Sequence, residues 1–109
     1  MKFISLDEAP SKYKTKAKKN YIDLKNKKIT DNQLRKYIGK LSRIGELEHL
    51  CLNNNKITDV GFKGLISKLA KLPNLQKIEI MKNSLTEKTF KILLAYYSTF
   101  KCLNHFVFL

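Results

Sequence analysis

Apolar and polar positions along this chain follow two alternating rhythms. The stretch Leu47 to Asn74 shows both: LEHLCLNNNKITDVGFKGLISKLAKLPN. Its first half has the spacing L-x-x-L-x-L-x-x-N-x-I. Leu50 and Leu52 alternate with polar neighbours, which predicts a short strand with one buried face. Phe62, Leu65, Leu69 and Leu72 then recur at helical intervals, which predicts a helix with one apolar stripe that Pro73 closes. Thr58 is placed as the helix N-cap, and Asp59 lies near the positive helix end.

The same unit recurs every 28 residues, with starts at Lys19, Leu47, Leu75 and Leu103. Ile22, Leu50, Ile78 and Phe106 fall in one column, and Leu24, Leu52, Ile80 and Phe108 in another. Lys27, Asn55 and Asn83 follow, then Ile29, Ile57 and Leu85. Thr30, Thr58 and Thr86 precede Asp31, Asp59 and Glu87. In the first unit Thr30 and Gln33 have capping-box spacing, and Leu34, Ile38 and Leu41 form the helical stripe. In the third unit the stripe is Phe90, Leu93, Leu94, Tyr97 and Phe100. Asn55 and Asn83 have side-chain amides suited to bonding turn backbone that no sheet ladder reaches.

These units resemble leucine-rich repeats. The 28-residue period and the I-T-D-x-G run from Ile57 to Gly61 resemble the ribonuclease-inhibitor-like subclass. The resemblance implies an α/β solenoid, a right-handed superhelix with a short, curved parallel sheet lining the concave side and helices on the convex side. It spans 19–109, as repeats 19–46, 47–74 and 75–102 and a partial unit 103–109. Three departures carry expectations. Lys27 stands where Asn is expected, so its turn should lack one polar contact. Gln33 and Thr89 match Gly61, so the helix start should weaken there. The apolar strand 103–109 should form an open edge, able to pair with a partner or a second copy.

Residues 1–18 differ from the rest and read as a basic cap or arm. Phe3, Ile4 and Leu6 form a short apolar cluster that Asp7, Glu8 and Pro10 interrupt. Lys12, Lys14, Lys16, Lys18 and Lys19 follow, and residues 11–28 hold eight Lys and one Asp, a charge of 8 − 1 = +7. The whole chain carries +13. Such charge suits nucleic acid, an anionic surface or an acidic protein. Of the 22 basic residues, however, only Arg35 and Arg43 are Arg, the side chain that reads phosphates and bases bidentately. Abundant Lys, Asn, Ile, Phe and Tyr is also what an AT-rich genome yields without selection for binding. Apolar residues never run to the roughly 18 that span a bilayer. Asp7 and Glu8 cut short anything like a signal peptide, so a cytoplasmic location is expected, with delivery into another cell left open. Cys51 and Cys102 read as two ordinary thiols.

The solenoid resemblance implies that binding falls to the strand residues between the buried positions. One such column is Tyr21, His49, Lys77 and His105. A second is Asp23, Cys51, Glu79 and Val107, and a third is Lys25, Asn53, Met81 and Leu109. Adjacent strands set these columns about 4.8 Å apart per step. An aromatic, both charge signs and a Met in one patch suit protein recognition. Tyr21, Asp23, His49, Lys77, Glu79 and Met81 are the strongest contact candidates, and an acidic partner is favoured by the surplus positive charge. Association of the Lys-rich segment 11–28 with nucleic acid or an anionic surface is the alternative, and a truncated repeat protein that self-associates through its edge strand 103–109 is a third. His49, Cys51 and His105 make a poor metal set, because His105 falls about 10 Å away across two strands. Nothing orients His49 as a base for Cys51. Gly61-Phe62-Lys63-Gly64 fits a G-x-x-G phosphate loop but falls on helical columns. No catalytic, cofactor or metal site is expected.

Overall fold

The computed structural model describes residues 20–108. Four strands alternate with three helices: β1 (Tyr21–Asp23), α1 (Asp31–Leu41), β2 (His49–Cys51), α2 (Asp59–Leu69), β3 (Lys77–Glu79), α3 (Lys88–Tyr97) and β4 (His105–Val107). The strands form one parallel sheet in the order β1-β2-β3-β4. Register follows the 28-residue columns: Tyr21, His49, Lys77 and His105 lie side by side, as do Ile22, Leu50, Ile78 and Phe106. The segment 1–18 and Lys19 lie outside the described residues, as does Leu109.

Alternation along each strand sends Ile22, Leu50 and Ile78 into the core, where they meet Leu24, Leu52 and Ile80 at the strand exits. Leu34, Leu41, Phe62, Leu65, Ile66 and Leu69 close that core from the helix side. Phe62 is fully buried and reaches the ring of Phe106, 5.6 Å between centroids. Each fully buried side chain of this size contributes about 1.5–3 kcal/mol relative to exposure. The helices start as their sequences direct. Thr30 and Gln33 form a complete capping box on α1, and Thr58 caps α2 by accepting from the Val60 N–H. At α3 the helix begins one residue late, at Lys88, without a side-chain cap on its assigned N-cap Glu87.

Two polar ladders hold the turns between repeats. Asn55 Oδ1 accepts the N–H groups of Lys27 (3.1 Å) and Ile29 (2.9 Å), and its Nδ2 donates to Leu24 O (3.0 Å) and Leu52 O (2.9 Å). Asn83 repeats the motif one unit on, serving Ile57 N–H and the carbonyls of Leu52, Ile80 and Met81. Each Asn therefore serves the turn of the preceding repeat as well as its own. The first turn is one contact short, as Lys27 implies: Leu24 O has Asn55 alone where Leu52 O has both Asn55 and Asn83, while Asn55 serves the Lys27 and Ile29 N–H groups. The second ladder runs forward. Asp31 accepts the backbone N–H of Thr58 (2.8 Å) and its hydroxyl, and Asp59 accepts the same pair from Thr86 (3.0 and 2.5 Å).

That forward ladder explains the Gly61 column. A Cβ on Gly61 would lie 2.1 Å from Asp31 Oδ1. In the next repeat Thr89 occupies the equivalent place, fully buried, and its hydroxyl donates to Asp59 Oδ1. Gly yields space to the carboxylate, whereas Thr bonds it.

The α3 stripe is a correction. Phe90, Leu94 and Tyr97 are 51%, 57% and 53% exposed, and the helix buries Thr89 and Leu93. The columns equivalent to Phe90 and Leu94 hold Phe62 and Ile66 in α2, both fully buried. A repeat with a neighbour on each side buries its stripe; the stripe of α3 has no further described unit to meet.

Candidate functional site

The strand residues that alternate with the core line the opposite face of the sheet. Two rows cross it in register: Tyr21, His49, Lys77, His105 and Asp23, Cys51, Glu79, Val107. Tyr21 lies against the His49 ring, 4.3 Å between centroids with planes tilted 37°. His49 Nε2 meets Glu79 Oε2 at 2.5 Å, a diagonal link between β2 and β3. Lys25 Nζ pairs with Asp23 at 3.1 Å, and the Lys25 backbone N–H donates to the same carboxylate.

Cys51 departs from expectation. It lies in the outward column but is only 2% exposed. Tyr21 and Asp23 on the neighbouring strand interact with its thiol, so a small side chain is roofed by larger ones. Burial foremost, then the carboxylates of Asp23 and Glu79, push the thiol pKa up. Cys51 is therefore a protonated, covered thiol, which lacks the character of a nucleophile or ligand. Burial also raises Tyr21 far above the usual phenol range, helped by Asp23 and Glu79. Asp23 goes the other way. Burial alone would raise it, but the backbone and side chain of Lys25 outweigh that and lower its pKa.

Asn53 is half-buried and accepts the Met81 N–H through Oδ1 at 2.7 Å, so it ties β2 to the turn after β3. Lys77, Glu79 and Met81 are half-buried, Lys25 and His105 exposed. Nine of the ten expected contact residues thus share one accessible face, and Cys51 lies beneath it. Lys12, Lys14, Lys16, Lys18 and Lys19 lie outside the described residues. Among the described residues no cluster of His, Cys, Asp and Glu could hold a metal ion. No helix among them is long and apolar enough to cross a membrane. The face holds fixed polar pairs and a tilted contact between the Tyr21 and His49 rings.

Sequence reasoning missed two features. The diagonal His49–Glu79 link is invisible to a column comparison, which pairs His49 with Lys77. The outward apolar stripe of α3 was legible only as a stripe, because its columns match those buried in α2.

Residues 45–90 match a family model described as Leucine Rich repeats (2 copies). A comparison with curated proteins gave no match. Leucine-rich repeats generally mediate protein–protein interaction. Residues 45–90 thus carry two leucine-rich repeats, and the same columns continue through β1, α1 and β4 in an α/β solenoid fold of the leucine-rich-repeat kind.

Proposed function

We propose that this solenoid binds another protein through the concave sheet face. The observation that carries the reading is the face itself: Tyr21, Asp23, His49, Lys77 and Glu79 on adjacent strands, with charges of both signs held in place. Preformed pairs lower the ordering cost of an interface, and Tyr21 supplies an amphipathic anchor. No catalytic constellation enters this reading. The surplus positive charge favours an acidic partner and speeds its encounter. The test is crosslinking or pull-down with the wild-type chain, a Lys77→Glu/Glu79→Lys double variant and Tyr21→Ala. Partners bound here are lost from the variants and kept by Val60→Lys, which changes an exposed residue on α2. Retention of every partner by the variants refutes the site.

One observation favours anion binding as a second reading. Lys28 and Lys56 line a depression at the turn edge with Asn26, Asn54 and Asn55, and no carboxylate faces it. Lys28 is the last residue of the basic stretch 11–28 of the sequence. However, Arg35, Arg43 and Lys68 line a separate groove between α1 and α2, so the charge is divided among sites. Binding to RNA, duplex DNA or anionic vesicles should then fall steeply with added salt. Binding that is absent or indifferent to salt rejects it.

A further inference from the structure

The groove between α1 and α2 carries an inference independent of the concave face. It holds about 510 Å³ and is lined by helix residues and the turn that ends α1, none of them at either end of the chain. Of the 22 basic residues only Arg35 and Arg43 are Arg, and both line this groove, with Lys68 across from them on α2. Arg35 and Arg43 are exposed, and Arg35 reaches Asn32 Oδ1 at 3.4 Å. Among the described residues no carboxylate lines the groove or pairs with either guanidinium. The two arginines lie eight residues apart, about 12 Å along the helix axis.

The floor between them is apolar and bare. Ile38 is half-buried there, and Gly39 and Gly64 add no side chain. Neither glycine is required by the fold. No glycine has a left-handed φ. A Cβ on Gly39 would meet nothing within 4 Å, and one on Gly64 would meet Ile38 Cδ1 at 3.6 Å, an ordinary contact. Glycine inside a helix costs stability relative to alanine. What the two glycines do is keep the groove open. Ser42 and Ser67 flank the floor, each donating to the carbonyl of the glycine three residues before it, at 3.0 and 2.9 Å. Their hydroxyl oxygens keep lone pairs for an incoming N–H.

Charge and spacing select the occupant. A nucleic-acid strand carries a phosphate at every residue and has no partner for an apolar floor. In an extended peptide, residues i, i+2 and i+4 share one face, and the outer two lie about 13 Å apart. That separation matches the two arginines, and residue i+2 falls over Ile38. We propose that this groove binds an extended acidic segment of a partner protein, with the pattern acid-x-apolar-x-acid. One carboxylate takes the Arg35 fork and the other takes Arg43 with Lys68. The apolar side chain between them packs on Ile38, in the space that Gly39 and Gly64 leave.

Chemical-shift titration of the 109-residue chain tests this. The probe is a short blocked peptide with glutamate, valine and glutamate at alternate positions and serine elsewhere. The amides of Gly39 and Gly64 should shift, and added salt should weaken the binding. A peptide of the same composition with its glutamates adjacent should bind about tenfold more weakly, since only one carboxylate finds an arginine. Arg35→Lys/Arg43→Lys keeps the charge but loses the forks, and should weaken binding about tenfold. Gly39→Leu keeps every charge and fills the floor, and should weaken it at least about tenfold. Circular dichroism confirms folding, and the arginine variant decides if Gly39→Leu does not fold. Absence of shifts in the groove, shifts confined to Tyr21, His49 and Lys77, equal binding of the two peptides, displacement of the peptide by equimolar oligothymidylate, or indifference to both variants overturns the proposal.

Discussion

Asn55 joins the turns of two repeats, and its truncation gives a sharp test. Asn55→Ala removes an acceptor for Lys27 N–H and Ile29 N–H and a donor to Leu24 O and Leu52 O. The four losses are unequal. Leu52 O keeps Asn83 Nδ2 at 3.0 Å. Lys27 is half-exposed, so water reaches its N–H. Ile29 and Leu24 are buried, and their groups are left without partners. Each orphaned buried group costs about 1–3 kcal/mol, so the variant should lose about 4 kcal/mol. With a urea m-value of about 1.5 kcal/mol/M, the unfolding midpoint should fall by about 2–3 M. Asn83→Ala is the companion test. Leu52 O keeps Asn55 and Met81 O keeps the Asn54 N–H, but Ile57 N–H and Ile80 O lose their partner, so the cost should again be about 4 kcal/mol. Native-state hydrogen exchange adds a local reading: the Ile29 amide should lose more protection than amides in α2. A loss below about 1 kcal/mol at either asparagine refutes the ladder as described.

Gly61→Ala should cost about 2 kcal/mol by expelling the Asp31 carboxylate from Thr58, whereas Gly39→Ala, where a Cβ meets nothing, should stabilise by up to about 1 kcal/mol. Thermal or urea melts of the two variants separate these signs. Lys82 holds a left-handed backbone (φ 55°) in the column of Asn26 and Asn54, so Lys82→Asn should raise stability by roughly 0.5 kcal/mol in the same assay. For Asp59, burial alone would raise the pKa, but hydrogen bonds from Thr86 and Thr89 and the charge of Lys88 lower it below the ordinary 3.8. Its contribution is therefore present above that value and lost as pH falls through the lower folded-state value; the wild type should lose more stability on acidification than Asp59→Asn. A thiol reagent should label exposed Cys102 quickly and buried Cys51 only on unfolding, read as one fast thiol per chain.

The strand register was legible because the 28-residue period repeats through strand, turn and cap together, and a one-residue slip would turn every buried leucine outward. The caps at Thr30 and Thr58 were legible for a local reason: hydroxyl, spacing and helix start lie within four residues. Cys51 was not. Alternation assigns a side chain to a face but says nothing of what its neighbours cover, and Tyr21 belongs to another repeat. Lys27 was legible in part: the missing amide leaves Leu24 O one donor short of Leu52 O, but a column does not show that Asn55 serves the turn before its own. The α3 stripe failed in a third way. Periodicity marks a face as apolar, and only the presence of a neighbouring unit decides whether that face is buried.

The two ladders have a consequence for cooperativity. Asn55 and Asn83 satisfy backbone in the unit before them, while Asp31 and Asp59 satisfy backbone in the unit after. The turn N–H groups of Ile29 and Ile57 and the backbone N–H groups of Thr58 and Thr86 find their partners in a neighbouring unit. The intrinsic stability of a single unit is therefore unfavourable, and the favourable free energy resides in the junctions between units. A chain of this kind cannot shed one repeat and keep the others at little cost, since losing the third leaves Ile57 N–H without a partner in the second. Folding and unfolding should thus be all-or-none, with the nucleus spanning at least one junction.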